Sequence, residues 1–127
     1  MSAAQNLQVQ ILFIKSAEDE ATLAFGVPDS VFEFHVQQAV EKLLKALITA
    51  HGAVHPYTHD LQLLINQLGT LGETLPDFGV PLPTLSPFGV IARYDLGVPL
   101  TAEERQEFRE VVAAVHAFVR ARVDALP

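Results

Sequence analysis

The stretch FHVQQAVEKLLKALITAHG, residues 34–52, contributes most to deciding the fold. Its apolar residues continue a stripe at helical spacing that begins just before it: Phe32, Val36, Val40, Leu43 and Leu47. Polar side chains fill many of the other positions, and Glu41 precedes Lys45 by four residues, the order that best favours a helical ion pair. A single apolar stripe is typical of a helix that lies against a core, and we expect Leu43 to be buried there.

The signals at the two ends of this stretch set the length of the helix. Ser30 followed by Glu33 has the spacing of a capping box, and Asp29 is an alternative cap. Gly52 is the residue type that most often follows the last helical turn. Together these signals predict an amphipathic helix over Ser30–His51.

Two more helices are predicted downstream. Thr101 and Glu104 form a second capping box ahead of an apolar stripe, which predicts a long helix over Thr101–Ala125. Thr58 is the expected N-cap of a shorter helix, Thr58–Leu68. The stripe of the long helix consists of Phe108, Val111, Val112, Val115, Phe118, Val119, Val123 and Leu126, of which we expect Phe118 to lie in the core.

The first segment, Ala3–Phe25, is predicted to be a helix, with a strand near residues 7–14 as the alternative. The residues that fit a helical stripe are Leu7, Ile11, Ile14 and Ala21. Apolar residues also alternate over residues 7–13, which is a strand-like period. The acidic run at residues 18–20 is interpreted as a solvated helix face.

The segment Leu71–Pro87 is too rich in proline for a long helix, yet its apolar residues predict an ordered loop over the core. Ser86 and Pro87 then begin a short predicted helix that reaches Tyr94. With no alternation of strands and helices, the fold class is all-α: an up-and-down antiparallel bundle of four to five helices, in one domain of residues 1–127.

Composition excludes several classes of function. Half of the 127 residues are hydrophobic, so general disorder is excluded. Eight Lys and Arg against fifteen Asp and Glu give a net charge of -7, which argues against autonomous binding to DNA or other nucleic acids. The chain has no cysteine, which excludes thiol chemistry. No signal peptide or membrane segment is evident, so we expect a cytoplasmic protein that needs no membrane and no cofactor.

Three histidines recur every four residues: His51, His55 and His59. On one unbroken helix they would share a face and hold a metal ion. Gly52 and Pro56 interrupt that helix, so we expect no metal site.

A second candidate is Arg109 with His116, seven positions later on the same helical face. A cation and a proton acceptor are what cleavage of an RNA phosphodiester requires. The alternative is structural, because arginine is common on exposed helices and His116 adjoins the core positions of its helix.

The sequence resembles the HEPN domain family at four places in the expected order. Residues 34–52 look like the family's second helix, and THDLQLLINQL, residues 58–68, is similar to its HDL helix start. IARYD, residues 91–95, resembles an RYPD segment, although the proline is missing, and KSAEDEATLA, residues 15–24, resembles part of the first helix.

This resemblance implies a helical bundle that often forms homodimers. Minimal members of the family are commonly encoded beside a small nucleotidyltransferase, as halves of a toxin–antitoxin pair, and have been proposed to bind nucleotides. Other members are metal-independent RNases with an arginine and a histidine in a late helix. The implied function is therefore a non-catalytic binding module, with an RNase toxin using Arg109 and His116 as the alternative.

The segments that carry the resemblance also supply the candidate ligand site: Lys42, Lys45, His59, Asp60, Arg93 and Tyr94. Cations would bind phosphate, and an aromatic ring would stack on a base. The structural alternative is that Asp60 caps its own helix and pairs with Arg93 or a lysine. Homodimerisation is further indicated by apolar residues in turns, where a monomer would expose some of them: Phe25, Val27, Phe78 and Val80.

Overall fold

The structure is a computed structural model that describes residues 1–85 and 97–127, and the described residues contain no strand. Within the described residues there are four α-helices and one short 3-10 helix: α1 (Ala3–Thr22), α2 (Asp29–Ala50), α3 (Leu61–Thr70), the 3-10 helix (Leu82–Leu85) and α4 (Ala102–Ala125). The prediction of an all-α bundle is confirmed, and α1 is a helix rather than the alternative strand. The short helix predicted between Ser86 and Tyr94 lies outside the described residues.

Helix α2 lies at the centre of the bundle and contacts α1, α3, the 3-10 helix and α4. Its predicted apolar stripe is confirmed, because all five members are at most 2% exposed, and Leu43 is fully buried. Phe118 on α4 is only half-buried, and its ring meets that of Phe78 with centroids 5.9 Å apart. Phe118 therefore lies at the edge of the core rather than inside it.

The directions of the helices follow from the contacts at their ends. Helix α1 runs antiparallel to α2, since Gln5 lies beside Gly52 and Asp19 bonds His35. It is also antiparallel to α4. Helices α2 and α4 begin at the same end of the bundle, where Asp29 pairs with Arg105. The chain therefore returns to that end before α4 begins.

Helix ends confirm some of the predicted caps. Thr101 and Glu104 form the capping box of α4, and a similar box that was not predicted, Ser2 with Gln5, begins α1. Gly52 ends α2 with φ 81°, a conformation that glycine adopts without strain.

Two predicted caps are wrong. Helix α2 has Pro28 at its N-cap, and no side chain caps it. The Asp29 carboxylate instead accepts bonds from the Leu100 amide at 2.8 Å and from Arg105 at 2.7 Å. Helix α3 begins after Asp60, not after Thr58, because the Asp60 carboxylate accepts the Gln62 amide proton at 2.9 Å.

The apolar stripe predicted on α1 is helical, but it faces solvent. Leu7 is 62% exposed, Ile11 46% and Ile14 59%. The face of α1 that contacts the core carries Val9 and Phe13, which are at most 3% exposed. The helix has two apolar faces, and spacing alone does not tell which one faces the core.

The predicted loop over the core is confirmed as far as residue 85. Leu82 and Leu85 are buried, and Leu75, Phe78 and Val80 are half-buried against the core. Within residues 1–85 and 97–127, no helix combines the length and the apolar character needed to span a bilayer.

Candidate functional site

Buried carboxylates join the helices through imidazoles and cations. Three of them follow the same pattern, in which one carboxylate bonds both a histidine and a lysine or arginine. The groups are Asp19 with His35 and Lys42, Glu41 with His59 and Lys45, and Glu73 with His51 and Arg122. All three carboxylate residues are at most 7% exposed. A charge that is buried to this extent needs such partners, because desolvation costs several kcal/mol.

The Glu41 group brings together two of the predicted ligand residues, Lys45 and His59. Glu41 accepts from Lys45 Nζ at 3.1 Å and from His59 Nδ1 at 2.8 Å. Gln37 Nε2 donates to Glu41 Oε1 and to the His59 carbonyl, both at 3.0 Å. These bonds attach the segment ahead of α3 to the middle of α2.

The other predicted ligand residues lie elsewhere or outside the described part of the chain. Lys42 donates to Asp19 on α1, away from the Glu41 group. Asp60 is exposed and caps α3, as the structural alternative predicted. Arg93 and Tyr94 lie outside the described residues, so the six-residue site is described only in part.

Within the Glu41 group, His59 is the most exposed of the three charged or imidazole side chains, at 65%. The side chain of Lys45 is 11% exposed and that of Lys42 is 23% exposed. A phosphate bound by either lysine would compete with a carboxylate that already neutralises it. The arrangement therefore presents one exposed imidazole and two cations with limited access.

The RNase candidates Arg109 and His116 both contact α1. Arg109 Nε donates to the carbonyl of Leu23 at 2.7 Å, and its guanidinium lies 5.4 Å from the centre of the Phe32 ring. His116 Nδ1 donates to the carboxylate of Glu20, with a shortest distance of 2.8 Å. The two side chains point to the same neighbouring helix, but each has its own partner there.

The surroundings of His116 also include an aromatic ring and a second arginine. Its ring lies 5.6 Å from that of Phe13, centroid to centroid, and Arg120 lies over the Phe13 ring, 3.8 Å from its centroid. Ser16, which is fully buried, donates to Glu20 at 3.2 Å. Glu20 therefore fixes which nitrogen of His116 carries a proton and leaves Nε2 as the acceptor of the neutral ring.

Arg105 repeats the role of Arg109 one turn earlier on α4. It donates to the Val27 carbonyl and to Asp29, both at 2.7 Å, and stacks 4.7 Å from the Phe32 centroid. The two arginines together hold the connection between α1 and α2 against α4.

The Glu73 group has a resolved electrostatic shift. Three hydrogen bonds from Arg122, one at 3.1 Å and two at 2.9 Å, lower the pKa of the Glu73 carboxyl below its usual 4.5. Burial opposes this shift, while the bond from His51 Nε2 at 2.9 Å adds to it. The same contact raises the pKa of Arg122. Glu73 is thus a fixed anion that ties the end of α2 to α4.

The three regularly spaced histidines do not form a cluster. His51 bonds Glu73, His59 bonds Glu41, and His55 donates to the carbonyl of Pro56 at 3.3 Å. Across residues 1–85 and 97–127, no three potential metal ligands come close enough together to hold an ion.

The acidic run at residues 18–20 is only partly the solvated face that was predicted. Asp19 is buried and bonds His35 and Lys42, and Glu20 is half-buried against His116. Glu18 is exposed, beside Lys15. Their helical position could have indicated this, because residues 19 and 20 come three and four positions after Ser16 and so lie on the inner side of α1. Glu73 had no comparable signal in a loop sequence.

Comparison with known proteins gives one result that covers most of the chain. A family model described as HEPN domain matches residues 14–125. No curated protein and no solved structure matches the chain.

Proposed function

Because this chain belongs to the HEPN domain family, we propose that it acts as a non-catalytic binding module. In this proposal it binds a nucleotide, a partner small nucleotidyltransferase, or both, as one half of a toxin–antitoxin-type pair. The observation that carries the proposal is the contact of Arg109 with the Leu23 carbonyl at 2.7 Å. An arginine whose Nε is bonded to the neighbouring helix is less free to move onto a phosphate in a transition state.

The cost of releasing Arg109 supports this argument. A guanidinium that moved towards a phosphate would give up the bond from Nε to the Leu23 carbonyl and the stack on Phe32. Leu23 is 2% exposed, so its carbonyl would then lose a partner in a place with little water. Catalysis depends on groups that are already in position when charge develops, and Arg109 is positioned for Leu23.

The nucleotide part of the proposal draws on the Glu41 group. His59 is exposed next to Lys45, and a nucleotide phosphate would displace Glu41 as the partner of these two side chains. The resulting affinity should be modest, because the carboxylate remains close by and repels the anion.

The RNase alternative has one observation in its favour. The Glu20 carboxylate orients His116 through Nδ1, which is how general bases are commonly held, and Nε2 is left to take a proton. The side chain of His116 is 28% exposed, so an RNA backbone has some access to it.

Cleavage assays separate the two functions. We expect the purified wild-type chain to leave single-stranded and structured RNA intact in the presence of EDTA. Cleavage that is lost in both Arg109→Ala and His116→Ala, and kept in Arg120→Ala, would establish the RNase and overturn the non-catalytic assignment.

Binding is tested by calorimetric titration with ATP and GTP and by copurification with a small nucleotidyltransferase encoded next to this chain. We expect Lys45→Ala to abolish the nucleotide signal. The matched control is Lys15→Ala, an exposed lysine of α1 that is paired with Glu18 at 3.6 Å. Absence of both a nucleotide signal and a copurifying partner would refute the proposed module.

A further inference from the structure

The outer face of α4 is exposed along the whole helix and has a regular pattern. The inner face carries Val111, Val112 and Val115, which are buried. On the opposite side, exposed residues follow one another at separations that alternate between four and three: Glu103, Glu107, Glu110, Ala114, Ala117, Ala121 and Asp124. We call these residues the outer row. Separations of four and three are those at which a second helix packs its side chains into the spaces of the first.

Alanine fills the middle of the outer row. Every member between Glu110 and Asp124 is an alanine, and Ala113 beside them is exposed as well. A solvated helix face is expected to carry polar side chains, as the first two turns of α4 do. The distance between two packed helices depends on the side chains at their contact, so alanines allow a second helix to come close. The middle of the outer row therefore has room for larger apolar side chains from another helix.

Carboxylates occupy both ends of the outer row, and within the described residues no cation neutralises them. Glu103, Glu107 and Asp124 have no ion-pair partner there, and Glu110 accepts a hydrogen bond only from the neutral Gln106, at 3.3 Å. A partner with lysine or arginine at the matching places would meet a complementary potential.

The arginines of α4 lie off the outer row and are used elsewhere. Arg105 and Arg109 bond carbonyls of the connection between α1 and α2, and Arg122 bonds Glu73. Arg120 lies over the ring of Phe13 on α1. The negative charge of the outer row is therefore open to a partner rather than neutralised by its own helix.

The same charges disfavour a second copy of this chain as the partner. A parallel pair of α4 helices would set each glutamate beside its own equivalent. An antiparallel pair centred on Ala114 and Ala117 would set Glu107 opposite Asp124 of the second copy. Both arrangements place like charges against each other, which opposes association.

We infer that the outer row of α4 is a docking surface for a basic amphipathic helix of another protein. Large apolar side chains of that helix lie on the alanines, and lysines or arginines at its two ends pair with the carboxylates. The contact uses neither the Glu41 group nor Arg109, so it goes beyond the proposed function and does not depend on it.

Peptide binding tests this inference directly. The probe is a fluorescent synthetic helix of about the length of α4, with leucines in the middle of one face and lysines at both ends of that face. Fluorescence anisotropy should show saturable binding to the wild-type chain, weakened when salt is raised from about 50 mM to about 300 mM. A peptide of the same composition in scrambled order should bind at least about 10-fold more weakly, because its lysines and leucines no longer share a face.

Substitutions locate the contact on α4. Glu107→Lys should weaken binding of the probe by about 10-fold or more. The matched control is Glu18→Lys, which changes the net charge equally at an exposed site of α1 and should have little effect. Ala117→Gln should also weaken binding by about 10-fold, because a longer side chain holds the two helices apart. Ala21→Gln, at an exposed alanine of α1, is its control.

Several results would overturn the inference. Failure of the probe to bind refutes it, as does equal binding of the scrambled peptide. Equal weakening by Glu107→Lys and Glu18→Lys would mean that overall charge, not the outer row, attracts the peptide. Sedimentation that shows a wild-type dimer lost in Ala117→Gln would assign the outer row to a second copy instead. Circular dichroism checks that each variant is folded, and Glu107→Gln replaces Glu107→Lys if the latter is not.

Discussion

Helices α1 and α2 differ in how burial relates to polarity. In α2, the charged residues Glu41 and Lys45 are at most 9% exposed. In α1, the apolar Leu7 and Ile14 are about 60% exposed. In these two helices, burial therefore depends on the neighbouring elements more than on the type of side chain. Helix α2 is surrounded by other elements of the bundle, whereas α1 has neighbours on its inner side alone within the described residues.

This contrast also separates two ways of stabilising the fold. The buried groups of α2 are individually satisfied, as when Glu41 bonds both Lys45 and His59. The outer face of α1 carries no buried polar group that needs a partner, and its apolar side chains Leu7, Ile11 and Ile14 are exposed. Substitutions in α2 should therefore change the free energy of unfolding, whereas those at Leu7, Ile11 and Ile14 should change it little.

The largest effect should come from the apolar centre of α2. Leu43→Ala should lower the free energy of unfolding by about 2–5 kcal/mol, because Leu43 is fully buried and the substitution leaves a cavity. Leu7→Ala removes the same atoms from an exposed site and should cost less than about 0.5 kcal/mol. Urea denaturation measures both values. Equal losses would show that the two helices do not differ as the structure describes.

The next effect should come from the charges buried on α2. Glu41→Gln keeps the shape of the side chain but leaves Lys45 without its anion, and we expect a loss of about 1–3 kcal/mol. Glu18→Gln on α1 is the matched control, because Glu18 is exposed and its contact with Lys15 spans 3.6 Å. If thermal unfolding shifts equally in the two variants, the ion pairs of α2 contribute no more than a surface pair.

A pH-dependent effect is expected where α2 ends. Arg122 holds the pKa of Glu73 below 4.5, so the folded chain binds fewer protons at this site than the unfolded chain. The stability that Glu73 contributes is therefore present above about pH 4.5 and is lost as the pH falls through its lower folded pKa. Glu73→Gln should reduce the fall in melting temperature below that pH, compared with Glu18→Gln. If the melting temperature falls equally in both variants, Glu73 does not contribute to the loss of stability in acid.

The sequence predicted where the helices lie along the chain better than it predicted which residues they contact. Helices α2 and α4 followed from one apolar stripe each, and the cap of α4 at Thr101 from its local spacing. Local spacing misplaced the start of α2, because Arg105 and Leu100 engage Asp29 from the far end of the chain. The orientation of α1 was not predictable either, since a helix with two apolar faces satisfies the same period in both orientations.

Less of the candidate site was predictable from the sequence, because its residues also contact residues that are distant in the chain. Lys45 and His59 do meet, but they meet at Glu41, which spacing had identified only as the helical partner of Lys45. Arg109 had the spacing of a catalytic residue, and its bond to Leu23 joins positions 86 residues apart. Contacts at such separations depend on how the helices pack, which no local pattern of the sequence records.

The smallest effects should distinguish how α1 and α2 begin. Ser2 and Gln5 form a capping box on α1, so Ser2→Ala should cost about 1 kcal/mol and fray the first turn. Ser30→Ala should change stability by less than about 0.5 kcal/mol, because α2 begins at Pro28 without a side-chain cap. Amide hydrogen exchange at residues 3–6 and 30–33 would detect the local difference. A larger loss for Ser30→Ala would mean that α2 depends on the capping box that the sequence predicted there, and that packing against α4 does not by itself fix where α2 starts.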